Sequence, residues 1–316
     1  MTLAIELVGG FLGLLVGGEL LVRGASGVAR RLGLSALVVG VVIVGFGTST
    51  PELVTSVEAA LAGAPGIAVG NIVGSNIANI LLILGLAAAL CPFVTSAKSV
   101  IRDGSIVIAT AVAFALAAWT GTIERWVGAL FVVALVAYMA FALRSDGGQA
   151  VSEDAPGEGA TPLRLSVVFV LVGLVVIVVG AHFLVESAVE LARIFLVPEE
   201  VIGLTMVAVG TSLPELATTI VAAMRRHSQI ALGNVLGSNV YNTIGIGGIT
   251  ALVAPIPVSA TMMTIDIPLM LAISVLLMVV VATGMRVTRW EGLALLGLYV
   301  VYMAYQASFA GTATPA

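Results

Sequence analysis

The sequence predicts an all-α polytopic membrane protein: ten transmembrane helices in two inverted-topology five-helix repeats. Three observations carry this. Of 316 residues, 60% are hydrophobic and 9% charged, with mean hydropathy +1.18, more apolar surface than a soluble domain can hide. Apolar runs of about the 20 residues a crossing needs fall near 3–22, 35–60, 67–90, 100–119, 124–143, 165–185, 200–223, 230–254, 261–283 and 289–308. A shift of 163 residues lays the second half on the first, taking Gly47 to Gly210, Glu52 to Glu215, Asn71 to Asn234 and Asp103 to Asp266. Five spans per half is an odd number, so the second half enters from the opposite side, with a site expected at the midplane between the repeats. The runs do not alternate as barrel strands would, and helices satisfy their own backbone in lipid.

The first span carries Gly9, Gly10, Gly13, Gly17 and Gly18, a smooth face for a neighbouring helix. No basic stretch precedes it and Glu19 lies within it, so it reads as a retained span, not a leader. Its counterpart carries Gly173, Gly180 and Ala181. The pair is expected to pack tightly, or to slide against the rest.

The second and third spans hold the stretch 45–79, GFGTSTPELVTSVEAALAGAPGIAVGNIVGSNIAN, and the seventh and eighth repeat it at 210–242. Pro51 and Pro214 cannot donate to the carbonyls of Gly47 and Gly210. They should kink their helices and free backbone oxygens around Gly45–Gly47 and Ala208–Gly210. Glu52 and Glu215 are acids inside spans, each costing about 2.5–3.5 kcal/mol on insertion scales. A protonated glutamate bonded to a neighbour would not explain why the acid recurs with the same polar escort.

That escort supplies hydroxyls from Thr48, Ser49, Thr211, Ser212, Ser75 and Ser238, and amides from Asn79, Asn242, Asn71, Asn234, Asn76 and Asn239. All are hard oxygen donors of the class Ca²⁺ and Na⁺ prefer, whereas zinc or copper would want His or Cys. Ser75 and Asn79 share one helix face with Asn71, and Ser238 and Asn242 share another. Asn76 and Asn239 point elsewhere and are expected to brace helices, a role open to Asn71 and Asn234 as well.

Eleven of the thirteen Lys and Arg residues fall on one side of this topology; only Arg125 and Arg193 fall on the other. The positive-inside rule then puts both termini outside and the polar segment 144–163 in the cytoplasm, as a linker between repeats 1–143 and 164–316. Cys91 is the single cysteine and reads as a buried small residue. His227 reads as a surface residue, and Glu19 and His182, which match across the repeat, as structural.

GTSTPEL at 47–53, GTSLPEL at 210–216, GNIVGSNIAN at 70–79 and GNVLGSNVYN at 233–242 resemble the sodium/calcium exchanger branch of the Ca²⁺:cation antiporters. The resemblance covers essentially the whole chain. It implies calcium held chiefly by Glu52 and Glu215, with sodium sites around them. The hydroxyl residues would add oxygens, Gly45 and Ala208 backbone carbonyls, and Asn79 the rest of the central ring. It also implies that the first and sixth helices move. Sodium-coupled members carry Asp where this chain has Asn242, so the core holds two carboxylates, not three.

The expected function is Ca²⁺/Na⁺ antiport in the plasma membrane. Taking a carboxylate out of water disfavours its charge, so protons are a rival counter-ion. A cation channel is a rival of another class. No catalytic Ser/His or metal–His arrangement is present, so no enzyme is expected. Nor is any cofactor, nucleic acid or obligate protein partner; the partners are small inorganic cations and lipid.

Overall fold

The structure is a computed structural model that describes residues 2–94, 97–145, 161–195, 208–282 and 286–310. Most of the expected linker, 146–160, and the start of the expected seventh span, 200–207, lie outside these residues. The described residues form an all-helical polytopic membrane fold. Six helices are long and apolar enough to cross a bilayer, and a seventh span is a bent pair.

In chain order, α1 is Thr2–Leu32, α2 Ala36–Thr48, α3 Thr50–Leu61 and α4 Pro65–Leu90. Next come α5 at Ala97–Ala118, α6 at Arg125–Ser145 and α7 at Leu163–Ile194. Then α8 is Ala208–Thr211, α9 is Leu213–Met224, and α10 runs from Ser228–Val240 through a π-helical turn, Tyr241–Ile246, to Gly247–Val253. Last are α11 at Met262–Val281 and α12 at Arg289–Ala310.

Two helices exceed expectation. The spans near 3–22 and 165–185 are parts of helices of 31 and 32 residues. At 1.5 Å per residue each is over 45 Å long, more than the roughly 30 Å of hydrocarbon. Charges such as Arg23 and Glu186 interrupt the apolar run without ending the helix.

Burial separates a centre from a rim. In α4, 78% of the apolar window is buried, against 28% in α7. Residues 230–240 of α10 are all buried, whereas Val133, Val175 and Val300 stand outward on α6, α7 and α12. Trp119 and Trp290 are about as exposed as a side chain can be, at 79% and 81%, near helix ends, where amphipathic rings suit the membrane–water boundary.

On the rim, α1 and α7 run antiparallel along a glycine seam. A methyl on Gly10 would meet the Leu184 backbone nitrogen at 2.7 Å, one on Gly17 that of Ile177 at 2.7 Å, and one on Gly24 that of Val170 at 2.6 Å. Gly173 and Gly180 face back across the seam. Two expected members are elsewhere: Gly9 has nothing within 4 Å among the described residues, and Gly18 faces Val221 of α9. The seam follows one helix face at near-heptad spacing, so Gly24, beyond the expected end of the span, belongs to it.

Two short antiparallel ladders tie the halves together. In one, β1 (Phe93–Val94) pairs with β4 (Arg286–Val287); in the other, β2 (Thr122–Ile123) pairs with β3 (Ile256–Pro257). Near β2 and β3, Arg125 Nη2 donates to the Val253 carbonyl at 3.2 Å. Elsewhere Arg31 Nε donates to the Thr161 carbonyl at 3.0 Å, and Arg225 pairs with Glu19 at 2.7 Å.

Candidate cation site

The chain breaks twice in the middle of the fold, at Ser49 and Ser212. Their dihedrals, φ −81° and ψ 10° for Ser49 and φ −89° and ψ 6° for Ser212, lie between helix and strand. Pro51 and Pro214 stand in the first turn of the helices that follow, where a missing N–H costs nothing. Between α2 and α3 the bend is 43°. Each proline therefore starts a new helix at depth. Glu52 and Glu215 lie in the first turns of α3 and α9, where the positive end of the helix dipole favours a carboxylate.

The two breaks reach across to each other. Ser49 Oγ donates to Glu215 Oε1 at 2.8 Å, and Ser212 Oγ donates to Glu52 Oε1 at 3.0 Å. Asn71 Nδ2 donates to the Glu52 carbonyl at 3.0 Å and to Ser56 Oγ at 2.9 Å. Asn234 Nδ2 donates to the Glu215 carbonyl at 3.2 Å and to Thr219 Oγ1 at 2.9 Å. Thr48 Oγ1 lies 3.2 Å from Asn234 Oδ1, and Thr211 Oγ1 lies 3.5 Å from Asn71 Oδ1. Every one of these bonds has its counterpart 163 residues away.

What is left over is four oxygens and two amide nitrogens. Glu52 Oε2, Glu215 Oε2 and both polar atoms of Asn79 and of Asn242 are buried with no hydrogen-bond partner among the described residues. A buried polar group left unpaired costs about 1–3 kcal/mol, more when charged, so the four oxygens among these atoms call for an occupant. Asn79 opens a π-helical turn, Asn79–Leu84, and Asn242 lies in another, Tyr241–Ile246. Such turns displace a side chain from the regular helical register. No cluster of three or more His, Cys, Asp or Glu exists among the described residues. A cation here would rely on two carboxylates plus neutral oxygens, as hard ions accept.

The remaining candidates fall around this ring, with corrections. Ser75 and Ser238 are buried, with Ser75 Oγ 3.5 Å from Ser212 Oγ. The Gly45 carbonyl, expected to be freed by the kink, accepts the Ser49 N–H at 3.2 Å and Ser238 Oγ at 3.4 Å. Pro51 has no N–H for the Gly47 carbonyl four residues back, and the Ser49 N–H is directed to that carbonyl as well. Ala208 opens α8, beside the second break. Asn76 and Asn239, expected to brace other helices, donate instead to the carbonyls of Ile72 and Val235 in their own helices, at 2.7 and 2.6 Å. A short amide reaches its own backbone more readily than a neighbour's. His227, expected at the surface, is buried against Ser26 at 3.5 Å, because its turn folds onto α1. Ser56 and Thr219 were missed, although they too match at the same offset.

A cavity of about 350 Å³ lies to one side of these residues, lined in part by Asn71, Ser75 and Thr211.

Comparison with known proteins places the chain in a family. A family model described as sodium/calcium exchanger protein matches residues 2–144 and 165–308. The sodium/calcium exchanger MaX1 of Methanosarcina acetivorans is 35% identical, over 93% of this chain and 95% of its own. The inner membrane protein YrbG of Escherichia coli is 31% identical, over 94% of each. A solved structure of the sodium-calcium exchanger NCX_Mj, soaked without Na⁺ and Ca²⁺, superposes with a TM-score of 0.84 at 28% identity, covering 96% of this chain and 98% of that one.

Proposed function

The chain belongs to the sodium/calcium exchanger family, and on that premise we propose that this cation antiporter exchanges Ca²⁺ for Na⁺ by alternating access. The carrying observation is the set of buried, partnerless oxygens on Glu52, Glu215, Asn79 and Asn242, with each glutamate held by a serine from the opposite half. Ca²⁺ and Na⁺ are cargo competing for one pair of carboxylates, so occupancy is exclusive. Either ion offsets the buried charge, whereas two bare acids at membrane depth resist rearrangement. That exclusion makes exchange rather than leak, and sets the reading apart from a channel.

The reading includes ten crossings in two inverted repeats. The antiparallel course of α1 and α7, which correspond at the 163-residue offset, supports it. So do both ladders, since in a ten-crossing count β1 and β4 share one face and β2 and β3 share the other. We place the protein in the plasma membrane with both termini outside and 144–163 in the cytoplasm, as the basic residues suggest.

The test is uptake of radioactive calcium into proteoliposomes loaded with Na⁺, with Glu52→Gln and Glu215→Gln beside the wild type. Uptake that needs internal Na⁺ and disappears in both variants supports the reading; uptake unchanged in either variant overturns the site. A second reading, Ca²⁺/H⁺ exchange, is favoured by one observation: both ring amides, Asn79 and Asn242, are neutral. Uptake driven by a pH gradient without Na⁺ would select it.

A further inference from the structure

The two halves carry a second pair of matched acids, Asp103 and Asp266, and the structure treats them differently. Asp103 is buried in α5 and takes both prongs of Arg102, at 3.0 and 2.9 Å. Asp266 is only 6% exposed at the start of α11, yet it lines the cavity that Asn71, Ser75 and Thr211 also line. Its Oδ1 accepts from Gln306 Nε2 at 2.8 Å, and Gln306 Nε2 lies 3.0 Å from Tyr302 Oη. No ion pair to Asp266 occurs among the described residues. Thus one acid of the pair is neutralised by its neighbour. The other faces the cavity with no ion-pair partner among the described residues.

A negative charge beside a narrow water-filled cleft with apolar walls concentrates cations there. At about 350 Å³ the cavity holds on the order of ten waters, each occupying roughly 30 Å³. An ion beside Asp266 would therefore keep most of its shell. One carboxylate with neutral oxygens around it would select by charge and not by size, which favours a divalent ion.

We propose that Asp266 forms a staging site for hydrated Ca²⁺ in the cavity, before the ion is stripped at Glu52 and Glu215; this rests on the exchanger reading above. Asp266 holds no ion tightly. It raises the local concentration of Ca²⁺ on the cavity side only.

The experiment measures initial rates of Na⁺-driven calcium uptake against external Ca²⁺ in oriented proteoliposomes, for wild type, Asp266→Asn and Asp266→Glu. Asn keeps the acceptor for Gln306 and removes only the charge. The expected result is a KM about three- to tenfold higher in Asp266→Asn with kcat kept, the size of a screened charge effect at this range. Asp266→Glu should restore the wild-type value. Added choline chloride should raise the wild-type KM and leave that of Asp266→Asn unchanged. A KM equal in wild type and Asp266→Asn, or one that Glu does not rescue, overturns the proposal. A wild type that takes up no calcium at all would instead overturn the exchanger reading, so the two failures are distinct.

Discussion

The segments GNIVGSN, from Gly70 to Asn76, and GNVLGSN, from Gly233 to Asn239, differ at two positions and lie in opposite surroundings. In the second, a methyl on Gly233 would overlap the Leu37 carbonyl, and one on Gly237 would meet the Val41 carbonyl at 2.5 Å. Asn234 is fully buried, and α10 is pressed backbone to backbone on α2. In the first segment, Gly70 and Gly74 are half-exposed, Asn71 lines the cavity, and nothing among the described residues stands within 4 Å of a methyl on Gly74. The bonds made by the asparagines of the two segments nonetheless match one for one. The asparagine and carboxylate bonds of the site are symmetric while its packing is not, and the cavity lies beside the looser segment.

The sharpest way to break this comparison is through the acids. Glu52→Gln and Glu215→Gln should each lower exchange by about a hundredfold, because losing one charge at a buried charged contact costs about 2–5 kcal/mol. The two losses should be equal within threefold, measured as calcium uptake. A large inequality would mean that the acids are not a pair. Next is accessibility. In a Cys91→Ala background, Thr55→Cys should react with a membrane-impermeant thiol reagent at least tenfold faster than Thr218→Cys, its buried match.

Ser49→Ala and Ser212→Ala each remove a hydrogen bond to a carboxylate, and calcium affinity should fall roughly tenfold in both, by the weight of a bond to a charged group. The smallest effect separates the halves again. Gly237→Ala overpacks a closed contact and should cost about 1–3 kcal/mol, seen as a lower Tm in detergent, while Gly74→Ala should leave the Tm within a degree or two.

Much of this could be read from the chain because duplication exposes function. Two prolines ahead of two acids, at one offset, gave both helix breaks and both carboxylates. The Ser49–Glu215 and Ser212–Glu52 bonds could not be read, since they cross between halves and depend on how the breaks face each other. The π-helical turns at Asn79 and Tyr241 leave no composition signal, being set by packing. The lengths of α1 and α7 were hidden because charged residues end a hydrophobic run without ending a helix. Asymmetry was the least visible feature of all: nearly identical glycine motifs cannot announce which one is covered.

Both ladders are woven from one strand of each half, and so are both serine–carboxylate bonds. A half released alone would show bare strand edges at its two ends and a solitary acid at its middle. The smallest working unit is thus the couple, and a ribosome that has finished only the first half has made neither device whole.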